Sequence, residues 1–276
     1  MTMLSINTNV GALTAAQHSY SVNKSMETSM ERLASGKRIN SAADDAANLA
    51  ISTRITAEIQ GLKQSIKNAG DAQSLLNVTE GALTEVHTIL LRMRELAVQS
   101  SNESLRDQDR DVLQMEVAQL ESEIQRISDD TTWSGMTLLA GGFTTGATFQ
   151  IGPRDTDTIQ ISIEAIDATT ATALGLSSHV SLQANAQDYI VTIDNAISKI
   201  SEQRGKYGAV INRLDHAMAN MANIVTNLSA AKGRLEDADY AAESANLART
   251  QVLQQASMAM LAQANASKQN ILALFQ

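Results

Sequence analysis

Apolar residues recur at every seventh position from Ile55 through Leu62, Ala69, Leu76, Leu83 and Leu90 to Ala97. A second seam runs beside them through Ile59, Ile66, Ala72, Val86 and Met93. This repeat constrains the fold more than any other feature, because it demands a long helix packed along one side against other helices. At ~1.5 Å per residue, a helix from Leu49 to Gln99 would run roughly 75 Å, far beyond the average globular helix of about 11 to 12 residues. Little in the chain could break it. Pro153 is the one proline in 276 residues, and proline is the residue that most firmly ends helices.

Two further segments supply partners. After the polar turn SSNESLRDQD, the stripe Leu113, Val117, Leu120, Ile124 and Ile127 predicts a helix that folds back on the first. From Ile190 to Leu228, apolar residues alternate threes and fours through Ile193, Ile200, Tyr207, Leu214 and Met221, with Arg204 as the interruption. No amphipathic helix buries its own stripe, so the three segments are expected to form an antiparallel bundle. Between Thr131 and Ser181 the glycines cluster, and TFQIG and TIQISI alternate apolar and polar residues around PRDTD. That pattern predicts a β-hairpin near 148–163, with Phe149 and Ile151 on one side with Ile159, Ile161 and Ile163. The expected fold is mainly α: an elongated, antiparallel, coiled-coil-like helical rod carrying a small hairpin.

The two ends are weaker. One carries Ile6, Val10, Leu13, Ala16 and Tyr20, then Val22, Met26, Met30 and Leu33; the other is alanine-rich and closes on ILALFQ. Neither stripe guarantees a stable isolated helix. Ile271, Leu272, Leu274 and Phe275 are costly to expose unless a partner covers them.

Composition narrows the function. A net charge of -9 argues against nucleic acid or an anionic membrane as the main partner. The absence of cysteine removes disulfides, thiolate metal sites and cysteine nucleophiles together. The N-terminal stretch has neither a basic region nor a continuous apolar run, so no cleavable secretory signal is expected. No segment reads as a membrane span, and a chain of this kind that leaves the cell would need a dedicated export apparatus. His18, His87, His179 and His216 lie in four separate segments without metal-ligand spacing. No nucleophile, base and oxyanion site assembles, so no catalytic, cofactor or metal residue is assigned and the expected role is binding or assembly.

One stretch, LASGKRINSAADDAANLAIS, offers a choice between a phosphate loop and a hinge. A Walker loop needs a glycine where Glu31 stands and a Ser or Thr where Arg38 stands. The hinge uses every residue: Gly36 for a left-handed helix end, Ser41 and Asp44 for a capping box, and Asp44 with Asp45 in the first turn of the next helix.

That stretch, with TEGALTEVHTILLRMRELAVQSSN and LEDADYAAESANLARTQVLQQASMAMLAQAN, resembles bacterial flagellin. The resemblance covers nearly the whole chain, including SGMTLLAGG, FQIG and ALGL, after which large flagellins insert outer domains that this chain lacks. It implies a filament subunit, not an enzyme. Residues 1–40 and 235–276 would form an inner domain whose paired helices build a tube around a central channel. Residues 41–180 and 181–234 would form the surrounding layer. It further implies inner-tube contacts through Leu4, Ile6, Val10, Ile271, Leu272, Leu274 and Phe275, an extracellular location in the filament, and export by the flagellar type III apparatus. The partners it implies are further copies of the chain, the hook-filament junction and cap proteins, and a cytoplasmic chaperone at the C-terminal segment. Within the same structural class, a hook-filament junction protein is the nearest alternative; an enzyme on a helical bundle is the alternative from another class. Finally, with Leu90 as the packing direction, Arg92, Leu96 and Gln99 fall on the opposite face of the long helix. These three and Glu116 match the motif that contacts the Toll-like flagellin receptor, with Leu91 standing where glutamine is usual. The expectation is an outward surface used between subunits and by that receptor.

Overall fold

A chain rich in alanine and leucine, with one proline, has strong helix propensity and little to interrupt it. The computed structural model describes residues 8–141, 146–163 and 183–273, with side chains in the last stretch from 185 to 267. Its helices are α1 (Val10–Ser35), α2 (Ala42–Ser100), α3 (Asp107–Asp130), α4 (Gln183–Glu236) and α5 (Tyr240–Ala273). Two short antiparallel pairs complete it: β1 (Thr132–Trp133) with β2 (Met136–Thr137), and β3 (Ala147–Gln150) with β4 (Thr158–Ile161). The mainly α class expected from the heptads is what the chain adopts.

The chain divides into two compact units, one of residues 58–226 and one of residues 1–57 with 227–276. In the first, the heptad residues Leu62, Ala69, Leu76, Leu83, Leu90 and Ala97 of α2 are all buried. They meet a second run of sevens on α4, Ala186, Ile193, Ile200, Tyr207, Leu214 and Met221, also buried. Polar pairs beside the seam give the antiparallel register: Arg94 to Asp194 at 2.6 Å, Arg204 to Glu80 at 2.7 Å, and Gln73 to Asp215 at 3.0 Å. Arg204, the interruption in the α4 stripe, is thus answered by a carboxylate on α2. α3 closes the bundle, with Tyr189 of α4 donating its hydroxyl to Glu121 at 2.8 Å.

Farther along α2 the β3–β4 hairpin takes the third side. Phe149 pairs with Ile159 in register, and Ile159, Ile161 and Ile163 are buried. Asn68 of α2 donates to the Gln150 carbonyl at 3.0 Å, and Gln203 of α4 to that of Ser162 at 3.4 Å. The β1–β2 pair was not anticipated. Its turn places Ser134 and Gly135 at φ 51° and 82°, the two positive values a primed two-residue turn requires, so the Ser-Gly dipeptide was its signal.

Gly205 and Gly208 lie on exposed positions of α4, and a Cβ at either would meet nothing within 4 Å. Helix-interior glycine costs roughly 0.5 to 1 kcal/mol relative to alanine. Gly205→Ala and Gly208→Ala are therefore each expected to raise the stability of the 58–226 unit by about that amount, read by urea unfolding of the monomer.

Candidate assembly surfaces

The unit formed by the two ends is built on a clasp. α1 stops at Gly36, whose φ of 70° is the left-handed value an αL helix end requires and whose N–H donates to the Arg32 carbonyl at 2.9 Å. The next residues pair with the start of the α4–α5 connection: Arg38 N–H donates to the Glu236 carbonyl at 2.7 Å, and Ala238 N–H to that of Gly36 at 3.0 Å. Side chains reinforce this bridge. Glu236 is buried and accepts from Lys37 at 2.7 Å and from the Ser52 hydroxyl at 3.0 Å.

The cap of α2 departs from the expected arrangement. Asp44 accepts from the N–H groups of Asn40 and Ser41, at 3.1 and 2.9 Å, but the Ser41 hydroxyl donates to that same carboxylate instead of capping an N–H, so the box is one-sided. Asp45 has φ -164° and ψ 94°, outside the helical region, and accepts from Asn48 N–H at 3.0 Å and from its Nδ2 at 2.6 Å. Asp45 therefore acts as a second N-cap from which the continuous helix starts, not as a first-turn residue. Those bonds, to Ser41 and to Asn48 first, hold both carboxyls below the usual range.

Above the clasp, α1 and α5 run antiparallel, and their seam is largely small or polar. Ser19, Ser29, Glu243 and Thr250 are buried in this unit, with Val22, Met26, Leu33, Leu247 and Leu261 half-buried among them. Cross-helix bonds run from Asn9 Nδ2 to the Ala264 carbonyl at 3.2 Å and from Gln254 Nε2 to Asn23 Oδ1 at 2.8 Å. Nearest the clasp, Glu243 accepts from Ser29 at 2.9 Å and from Arg32 at 2.8 Å.

Other large apolar residues point the other way. Val10 is 61% exposed, Leu13 62% and Tyr20 74% on α1; on α5, Val252 is 66% and Met260 65% exposed. The first half of the α1 stripe thus faces away from α5. Of the expected inner-tube residues, Val10 lies on this outward face; Leu4, Ile6, Leu274 and Phe275, and the side chains of Ile271 and Leu272, lie outside the described residues.

The carboxyls of Glu236 and Glu243 are held below the usual range, chiefly by Lys37 and by Arg32. Their stabilisation is complete above the ordinary carboxylate pKa and is lost as pH falls through the lowered folded values. Acidification should accordingly weaken the clasp at Glu236 and the α1–α5 contact at Glu243. A circular dichroism titration of the monomer is expected to show helix loss that is shallower in the Glu236→Gln, Glu243→Gln double variant.

On the 58–226 unit, the predicted outward face of α2 is only partly outward. Arg92, Gln99 and Glu116 are exposed, and Arg92 bonds Glu116 at 2.9 Å and Glu95 at 3.1 Å. Leu96 is 1% exposed, which overturns its placement on that surface. The cause is α3: Arg92 bonds α3 through Glu116, and the Ser100 carbonyl accepts from Arg110 Nε at 3.0 Å. Leu96 stands one turn from each, under the same helix, so α2 has two buried sides where one was assumed.

Arg110 is buried as well. The run DQDRD reads as a solvated helix start, yet Arg110 is buried and holds the end of α2 through the carbonyls of Ser100 and Asn102, both at 3.0 Å. A cation is favourable at those helix-end carbonyls. Among the described residues, no group of three or more His, Asp or Glu could hold a metal ion, and no helix is long and apolar enough to cross a membrane.

The family described as the bacterial flagellin N-terminal helical region matches residues 6–144, and its C-terminal helical region matches residues 190–275. The chain belongs to the bacterial flagellin family. It is a structural subunit of the extracellular flagellar filament, not an enzyme. Flagellin from Halalkalibacterium halodurans is 42% identical over 271 residues, covering 98% of this chain and 99% of that one. Flagellin from Bacillus subtilis is 37% identical over 302 residues, covering 98% and 99%. Among solved structures, Bacillus cereus flagellin is 33% identical with a TM-score of 0.50, covering 60% of this chain and 94% of that one. A putative flagellar hook-associated protein from Vibrio parahaemolyticus matches with a TM-score of 0.60 at 18% identity, covering 70% and 100%. At that identity it shows a shared fold alone, so the flagellin assignment rests on the family matches and the relatives above.

Proposed function

We propose that this flagellin polymerises through the α1–α5 pair, which lines an inner tube around a central channel, with residues 41–234 forming the layer outside it. The observation that carries this reading is the inverted helix pair: polar residues bond across its seam while Val10, Leu13, Tyr20, Val252 and Met260 face outward. Fully burying such a side chain is worth about 1.5 to 3 kcal/mol, and each of these is more than half exposed within the unit. Neighbouring copies supply the cover. On this reading, residues 1–40 and 235–276 form the inner layer, and residues 41–234, with the hairpin near 148–163, surround it. Leu4, Ile6, Ile271, Leu272, Leu274 and Phe275, whose side chains lie outside the described residues, are the further inner-tube contacts this reading assigns.

Weakly pairing ends also suit export in an unfolded state by the flagellar type III apparatus, with a chaperone covering the C-terminal segment before assembly and with junction and cap proteins at the filament's two ends. The exposed Arg92, Gln99 and Glu116 face is open to the Toll-like flagellin receptor in the free subunit. Seeded growth of the purified protein tests the assembly reading. Long tubes in electron micrographs are expected, with hydrogen exchange at 10–35 and 240–267 falling sharply between monomer and filament. A discrete oligomer would favour a junction-type role, and equal strong protection in both states would overturn the proposed burial.

A further inference from the structure

We propose that Glu243 is the residue that sets the register of the α1–α5 pair, so that the apolar faces of both helices point outward together. The inference rests on the assembly reading above, because register matters only if both faces must meet neighbouring copies. Most of the seam cannot discriminate one alignment from another. Small residues and half-buried Val22, Met26, Leu247 and Leu261 recur at three and four spacing, and such a pattern is satisfied again after a slip of one heptad.

Glu243 is different. Both of its oxygens are used by α1, Oε2 by Ser29 at 2.9 Å and Oε1 by Arg32 at 2.8 Å, and Ser29 and Glu243 are both buried. A slip of seven residues in one direction would set the carboxylate against Val22 and Ser25. Ser25 already donates to the Ser21 carbonyl, so the charge would be buried without its cation, and Arg32 would lose its anion. A slip in the other direction runs past the end of α1 at Gly36.

The contact is poorly suited to a purely stabilising role. Arg32 Nε is buried with no hydrogen-bond partner among the described residues, and buried ion pairs are better attested as devices of registry than of stability. The neutral contacts farther along, Asn23 with Gln254 and Asn9 with Ala264, continue the alignment that Glu243 begins.

Because the chain has no cysteine, engineered pairs read register directly. Ala12→Cys with Leu261→Cys reports the native alignment, and Ser19→Cys with Leu247→Cys reports the slip of one heptad that sets Glu243 against Val22 and Ser25. In filaments grown on wild-type seeds and mildly oxidised, the native pair is expected to cross-link and the slipped pair not. Glu243→Leu should raise the slipped cross-link about tenfold or more and reduce filament yield. The exchange Arg32→Glu with Glu243→Arg should restore the native cross-link, which keeps the test decisive if the single variant pairs poorly. Native-only cross-linking with normal yield in Glu243→Leu, or failure of the exchange to restore register, would overturn the assignment. Should neither pair cross-link in otherwise wild-type filaments, the assembly reading itself fails.

Discussion

Leu96→Ala is expected to lower the stability of the 58–226 unit by about 2 to 5 kcal/mol, the range for truncating a buried leucine. Leu96 is buried under α3, between the Arg92–Glu116 pair and the Arg110–Ser100 bond. Its removal should leave a cavity where α2 and α3 meet and lower the melting temperature of the monomer before any assembly is attempted. Arg92→Ala separates the two roles. Its ion pairs are exposed, and such pairs contribute about 0 to 1 kcal/mol, so monomer melting should barely move. A Leu96→Ala monomer that melts like wild type would show that the side chain is not packed as described.

Val252→Asp should abolish filament growth, and Leu13→Asp should do the same from the other helix. Both positions lie on the outward faces of the terminal pair. Burying an unpaired carboxylate costs several kcal/mol, and a helical polymer repeats that cost at every subunit. The free subunit has no such penalty, because the new charge stays in water. The melting of residues 58–226 should therefore match wild type while sedimentable polymer falls to background. Val252→Ala should fall between, losing about 1 to 2 kcal/mol of burial per subunit. Normal filament yield from Val252→Asp would mean that the outward face of α5 stays wet in the filament.

The helical framework was legible because its signal is local. Leu62, Leu76, Leu83 and Leu90 announce one buried side of α2 through spacing alone, and the same sevens on α4 answer them. The hairpin from Ala147 to Ile161 was legible for a similar reason, since Phe149, Ile159 and Ile161 alternate around a turn. The failures share a different cause. The burial of Leu96 depends on where α3 lies, and periodicity in one helix cannot report how many neighbours that helix has. Arg110 sits in a run of charges that looks solvated, and only its reach back to the Ser100 carbonyl reveals that it is buried. At Asp45, two adjacent aspartates fit one helix start equally well, and the Asn48 amide decides which of them begins the continuous helix. The α1 stripe was visible as a stripe, but its direction was not. Val10, Leu13 and Tyr20 could face α5 or point away from it, and polar partners such as Gln254 and Glu243 on α5 show that they point away.

The inverted seam makes solubility and growth two readings of one property. If α1 and α5 pack in the filament as proposed, the surface that makes a lone subunit uncomfortable in water is the surface that disappears when the subunit joins it, so the two cannot be tuned apart. Making Val252 or Tyr20 more polar would yield a better-behaved monomer and a worse builder; making them more apolar would favour random clumping over ordered addition. Such a part works best when it is supplied one chain at a time, at the place where it is used.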